Sequence, residues 1–324
     1  MTIDTTAPVA LGRTDIKVAP LGVGAWAWGD TGVWGYGGDY DKGDVAGAFW
    51  SSINAGLTLF DTAEIYGRGV SEHLLGQLAR STETQVVIAS KFAPLPWRLE
   101  TGAVRRALEA SLKRLGVRRI DLYQIHWPLP LLSIPRLMDA LADAVHEGLI
   151  RAIGVSNYSS AQMHTAHAAL ARRGVPLASN QVEYSLLARA PEANGVLTTC
   201  RALNVTLIAY SPLAMGLLTG KYTPEQRPSG MRRMMPRFRT DTLQAIQPVV
   251  ALLREIGAAH GDRTPSQVAL NWLIQQGTLP IPGAKNARQA RENAGAVGWS
   301  LTPEEVSLLD QATLQWRGKE RRPF

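Results

Sequence analysis

An aspartate, a tyrosine, a lysine and a histidine follow one another at the ends of apolar runs in this sequence. Asp61 ends Leu57-Thr58-Leu59-Phe60-Asp61, with Tyr66 a short turn later; Lys91 ends Val86-Val87-Ile88-Ala89-Ser90-Lys91, and His126 ends Leu122-Tyr123-Gln124-Ile125-His126. Brought together, these groups make a proton-delivery device. A phenol titrates near ~10 and becomes a usable acid at neutral pH when a cation stabilises its phenolate. Lys91 is the expected cation, and Asp61 the partner that keeps a buried ammonium charged. A neutral His126 is suited to orient a substrate oxygen by a hydrogen bond. Each unit by which the tyrosine pKa falls is about 1.36 kcal/mol, so a fall of about two or three units is chemically substantial. Taken singly, each residue has an ordinary alternative: a strand-end Asp as a turn or cap, a Tyr or His as core or rim. The ordered set carries the functional reading.

The elements that must position these side chains are short apolar runs rich in Val, Ile and Leu, each followed by a longer segment of helical periodicity, as in a parallel βα sheet. Eight runs stand out: Leu21 to Ala25, Leu57 to Asp61, Val86 to Lys91, Ile120 to His126, Ile150 to Ser156, Ser179 to Glu183, Thr206 to Tyr210 and Leu279 to Pro282. That count predicts one (β/α)8 TIM barrel over residues 1–324, a length such a barrel fills alone. Expected helices at Ala46 to Ala55, Thr101 to Leu115 and Pro135 to Glu147 stop at Gly56, Gly116 and Gly148, and Thr264-Pro265 opens another. A doubly wound open sheet is the competitor, but the G-x-G-x-x-G phosphate turn is missing after the first run; Gly22 and Gly24 stand in or beside a strand. Gly29 to Lys42 and Leu213 to Thr240 are too long to be simple connections, so long βα loops are expected over the catalytic face. Thr302-Pro303-Glu304-Glu305 starts a C-terminal accessory helix, and Arg317 to Phe324 reads as a loose end.

Composition narrows the function classes. The net charge of +7 suits anionic small molecules as well as nucleic acid, but the basic residues are interleaved with apolar ones and form no like-charge tail, so no nucleic acid partner is expected. Cys200 is the only cysteine, and Met1 to Pro8 has no signal-peptide pattern, which points to a reducing cytoplasm. No stretch reaches the roughly 18 apolar residues of a membrane helix, so no membrane partner is expected. No His/Asp/Glu cluster has metal-ligand spacing, which sets a barrel hydrolase aside.

Asp61-Thr62-Ala63-Glu64-Ile65-Tyr66-Gly67, Ser90-Lys91, Gln124-Ile125-His126, Gly154-Val155-Ser156-Asn157-Tyr158, Asn180-Gln181-Val182-Glu183-Tyr184-Ser185 and Ala209-Tyr210-Ser211-Pro212-Leu213 together resemble the aldo-keto reductase superfamily, from about Leu11 to Thr313. The resemblance implies the barrel, a carbonyl reductase activity with NADPH, and a catalytic tetrad on Asp61, Tyr66, Lys91 and His126. It implies that Ser156, Asn157 and Gln181 hold the nicotinamide carboxamide and that Tyr210 stacks on the ring. Ser156 and Asn157 as caps of the helix near Ser159, and Tyr210 as core, stay open as alternatives. Ser211, Leu213, Gly216, Leu217 and Lys221 resemble the pyrophosphate loop. Gly283, Lys285, Arg288, Gln289, Glu292 and Asn293 fall in the segment resembling the adenosine 2'-phosphate and adenine site. There the sequence departs from the best-known branch, which has Lys-Ser at Gly283-Ala284 and Arg at Gln289. Lys285 and then Arg288, at a helix start, are the expected substitutes.

Two functions fit the resemblance. One is an NADPH-dependent reductase of a small carbonyl substrate, with Trp26, Trp28, Trp34, Trp97 and Trp127 in the loops lining the substrate pocket and Phe92 and Phe238 nearby. The other is a redox-sensing regulatory binding subunit on the same fold, which Gly220-Lys221-Tyr222 resembles; a fold alone does not choose. The physiological substrate and the oligomeric state are not written in the sequence.

Overall fold

The computed structural model describes residues 5, 7–98, 100, 102–129 and 132–318. Thr101, the expected start of one helix, and Lys319 to Phe324 of the expected loose end lie outside the described residues. A hairpin of β1 (Val9–Ala10) and β2 (Lys17–Val18) precedes eight parallel strands that neighbour each other in sequence order. These are β3 (Val23–Gly24), β4 (Leu59–Asp61), β5 (Val87–Phe92), β6 (Ile120–Ile125), β7 (Ile150–Ser156), β8 (Leu177–Glu183), β9 (Thr206–Tyr210) and β10 (Leu279–Pro280). The sheet closes on itself: the Gly22 and Gly24 amides donate to the Pro280 and Pro282 carbonyls at 3.0 Å each, and Gly24 bridges Gly283. Closure excludes the doubly wound alternative. It also explains Gly24, where a Cβ would lie 2.8 Å from the Ile281 carbonyl oxygen.

The shell comprises α1 (Lys42–Asn54), α2 (Val70–Ala79), α3 (Gly102–Leu115), α4 (Ile134–His146), α5 (Ser160–Ala171), α6 (Ala190–Ala193), α7 (Val196–Leu203), α8 (Thr240–Ala259), α9 (Pro265–Gln275), α10 (Ala287–Ala294) and α11 (Pro303–Ala312). Their apolar faces and the outer faces of the strands share one core that includes Phe49, Phe60, Tyr123, Leu141 and Trp272. Local chemistry sets the starts. Thr264 and Thr302 cap α9 and α11 in reciprocal boxes with Gln267 and Glu305, each followed by proline at the first helical position. Asp41 caps α1 four residues earlier than the periodicity suggested, because its carboxylate accepts from the Gly43 and Asp44 amides.

Inside the barrel a second core joins Leu59, Val87, Leu122, Ile208 and Leu279 to Leu11, Ile16 and Val18 of the hairpin. The hairpin therefore plugs the amino end of the barrel, and the Gly12 amide donates to Thr206 Oγ1 at the start of β9 (2.8 Å). With that end sealed, the carboxyl end is left for the site. Residues 25–41 and 211–239 cross it. The second of these is not one mobile unit: Phe238 is fully buried against Tyr222, whereas Gly230 to Met234 contains no buried residue.

Candidate active site

β4, β5 and β6 deliver the ionisable residues with a stagger of two residues from each strand to the next. Asp61 pairs with Ala89 in register, and Lys91 with Gln124. Lys91 is fully buried; its ammonium pairs with Asp61 Oδ1 and donates to the Thr62 carbonyl (2.9 Å) and to Tyr66 Oη (3.4 Å). Asp61 Oδ2 accepts from Gln124 Nε2 (3.0 Å) and Gln181 Nε2 (2.8 Å). Tyr66 sits on the 3-10 turn that follows β4, with its ring edge-on to His126 at 5.7 Å. The four expected residues converge.

Their electrostatics differ from the sequence expectation in one respect. Burial, and then the Asp61 carboxylate, hold the Tyr66 phenol well above the ordinary tyrosine range. Desolvation of the phenolate is the larger cause and the nearby Asp61 charge the smaller. Tyr66 is consequently protonated at neutral pH, the form a proton donor requires. Burial pulls Lys91 down, opposed by Asp61 and Glu72, and burial followed by Lys91 keeps His126 well below the usual histidine value. His126 is therefore neutral, and its Nδ1 is buried with no hydrogen-bond partner among the described residues.

Tyr66 and His126 line a cavity of about 880 Å³ that runs from the acid centre to the start of α10. Along one wall, Ser156 Oγ donates to the Gln181 carbonyl (2.9 Å), Asn157 Nδ2 donates to the His126 carbonyl (3.2 Å), and Tyr210 Oη donates to Asn157 Oδ1 (3.1 Å). The cap of α5 is Ser159 itself, so Ser156 and Asn157 are not capping residues. Tyr210 lines the cavity and packs against the core inside the barrel. Beyond it, Ser211, Ala214 and Met215 all adopt positive φ, of 49°, 49° and 58°. Non-glycine backbone in this sparsely populated region clusters at ligand-binding segments.

A family model described as Aldo/keto reductase family matches residues 20–313. The chain belongs to the aldo/keto reductase family. It is similar to the chloroplastic pyridoxal reductase of Arabidopsis thaliana, at 40% identity over 92% of this chain and 84% of the relative. Among solved structures it is similar to the glycerol dehydrogenase of Gluconobacter oxydans (26% identity, TM-score 0.84, 99% of each chain). It is also similar to an aldo/keto reductase of Klebsiella pneumoniae in complex with NADP and acetate (28% identity, TM-score 0.75, 99% of this chain and 98% of that one). The chain is an oxidoreductase of the (β/α)8 type, as the sequence led us to expect.

In this aldo/keto reductase the far end of the cavity carries Lys221, Arg232 and Lys285 with Gly283, Arg288, Gln289, Glu292 and Asn293. Lys285 is half-buried. Its ammonium donates to the Trp34 carbonyl (2.6 Å) and lies over the rings of Tyr40 (4.5 Å) and Trp34 (5.2 Å). Arg232 covers the same Trp34 ring at 5.2 Å and donates to Tyr222 Oη (3.0 Å). Arg288 is 73% exposed and pairs with Glu292 (3.3 Å). Gln289 Oε1 accepts from the Lys285 amide (2.8 Å), and Asn293 donates to the Gly283 carbonyl (3.2 Å). Ser211, Leu213 and Gly216 also line the cavity, but Leu217 is fully buried outside its lining.

Trp26, Trp34 and Trp127 line the cavity, with Trp26 6.3 Å from the Tyr66 ring and 5.4 Å from Trp34. Trp97 does not: it is 75% exposed on the loop after β5 and takes no part in the lining. Trp28, Phe92 and Phe238 are core residues, Trp28 donating its indole N–H to the Ala284 carbonyl (2.9 Å). The sequence reading missed Ile65, Met215, Thr219 and Ser266 in the lining. Ser266 was signalled by Thr264-Pro265, since a capped helix start places the next residues at a helix amino end.

Proposed function

We propose that this protein reduces aldehydes and ketones to alcohols with NADPH, using Tyr66 as the proton donor. The observation that carries the reading is the convergence of protonated Tyr66, neutral His126 and the buried Lys91–Asp61 pair at one end of the cavity. NADPH, when bound, supplies a hydride to the carbonyl carbon. The residues present fit it: Ser156, Asn157 and Gln181 for the carboxamide, Tyr210 for the ring, the strained segment Ser211 to Gly216 with Lys221 for the diphosphate, and Lys285 with Arg232 for the 2'-phosphate. The structure of the Klebsiella pneumoniae relative with NADP supports the cofactor assignment. Gly283, Gln289, Glu292, Asn293 and the exposed Arg288 are assigned to the adenosine end.

His126 and Tyr66 hold the substrate oxygen between them. As negative charge develops there, the oxygen becomes a stronger base than a phenolate and takes the Tyr66 proton. Lys91, itself fully buried, then stabilises the phenolate left behind. Trp26, Trp34 and Trp127, with Ile65 and Met215, favour planar or bulky apolar aldehydes. The relative named for pyridoxal, a planar aromatic aldehyde, accords with such walls. A complete proton donor set argues for turnover over a purely redox-sensing role. The test is loss of NADPH and of NADH absorbance against a panel of aldehydes and ketones. Turnover with NADPH and aromatic aldehydes is expected, and no oxidation of either cofactor with any carbonyl would overturn the reading.

A further inference from the structure

We propose that Gln124 is a positioning residue for the acid centre, its side-chain amide fixing the Asp61 carboxylate that pairs with Lys91. This inference rests on the carbonyl reductase reading. Gln124 lies on β6 two residues before His126, so strand alternation turns both toward the barrel axis. It is fully buried. Its Nε2 donates to Asp61 Oδ2 (3.0 Å), and its Oε1 accepts from Gln181 Nε2 (3.3 Å), which itself donates to Asp61 Oδ2 (2.8 Å). The amide has one sensible orientation, because flipping it would set an oxygen against a carboxylate and an NH2 against an NH2.

The fold makes room for this side chain. Gly154 of β7 stands in register with Gln124, and a Cβ there would lie 2.8 Å from Gln124 Cγ. A buried carboxylate requires donors on both oxygens. Lys91 serves Oδ1, and two neutral amides serve Oδ2 without adding a second cation that would compete for Asp61. The titratable groups around the pair are Tyr66 on the turn after β4, His126 after β6, Glu72 of α2 behind β5, and Tyr210 at the end of β9. Gln181 also lines the cavity, so the Gln124–Gln181 link ties the proposed cofactor wall to the acid centre.

The test compares Gln124→Leu and Gln124→Glu with the full-length wild type, reading single-turnover oxidation of NADPH by an aldehyde across pH, NADPH affinity, and the thermal melt. Gln124→Leu is expected to slow the single turnover about tenfold or more, the scale of a lost hydrogen bond to a charged group, with NADPH affinity unchanged. In Gln124→Glu the introduced carboxyl, while protonated, donates the same bond; once ionised it faces Asp61 as a like charge. That variant is expected to approach the wild-type rate at low pH and to gain a descending limb as pH rises, which a merely structural role would not produce. Wild-type rates in Gln124→Leu, or a Gln124→Glu profile parallel to the wild type, would overturn the proposal. Should Gln124→Leu fail to fold, the Gln124→Glu profile decides alone. Absence of turnover in the wild type would instead overturn the reductase reading.

Discussion

Replacing Lys285 by alanine removes a half-buried ammonium from the phosphate end of the cavity, and the expected consequence is a selective loss of NADPH affinity over NADH. A lysine bond to a phosphate contributes about 1.5 to 3 kcal/mol, equivalent to about 10 to 150-fold. Lys285 must give up part of its bond to the Trp34 carbonyl to make one, so the lower end applies and the Kd for NADPH is expected to rise about tenfold. The sign with pH follows from its environment. Burial, and then Arg232, pull the ammonium down to about 8. The cation is therefore present below that pH and lost above it, so wild-type preference for NADPH should shrink as pH rises through about 8 while the variant stays flat. Quenching of tryptophan fluorescence on cofactor addition, with Trp34 beside the ammonium, measures both affinities. An equal effect on NADPH and NADH, or none on either, would refute the assignment of Lys285 to the 2'-phosphate.

Lys91→Met should cost as much turnover as Tyr66→Phe, and the double variant scarcely more, because acid and cation act as a unit; strictly multiplicative losses in steady-state assays would argue against coupling. Trypsin cleavage at Arg232 and Arg233 should slow when NADP is added, since Gly230 to Met234 has no buried residue to hold it; equal cleavage with and without NADP would count against closure. His126 is held neutral by burial and Lys91, so the pH profile of turnover should lack a limb near the ordinary histidine value of about 6.5. Such a limb, abolished in His126→Gln, would contradict a neutral imidazole.

Strand positions were legible because buried parallel strands read as bare apolar runs, and Asp61, Lys91 and His126 end theirs as polar interruptions. The plugging hairpin was not, since Val9–Ala10 and Lys17–Val18 are two residues each and show no alternation. The aromatic residues show the same limit. Trp26 and Trp28 sit two apart in one loop, yet one lines the cavity and the other packs under it, a difference set by where the loop turns. Gln124 drew no attention as a residue because an uncharged amide gains meaning only beside Asp61, which comes from another strand. Tyr66 was recognised by type, but the direction of its pKa depended on burial and on the Asp61 charge, neither of which spacing reveals.

The central claim is that Tyr66 gives its proton to a carbonyl oxygen reduced by NADPH. It is tested most directly by single-turnover NADPH oxidation with an aromatic aldehyde in the wild type and in Tyr66→Phe, alongside NADPH affinity. The account predicts a loss of about 100 to 10,000-fold in rate with affinity nearly intact, since only the proton donor is removed. A Tyr66→Phe variant that reduces the aldehyde at the wild-type rate would contradict it.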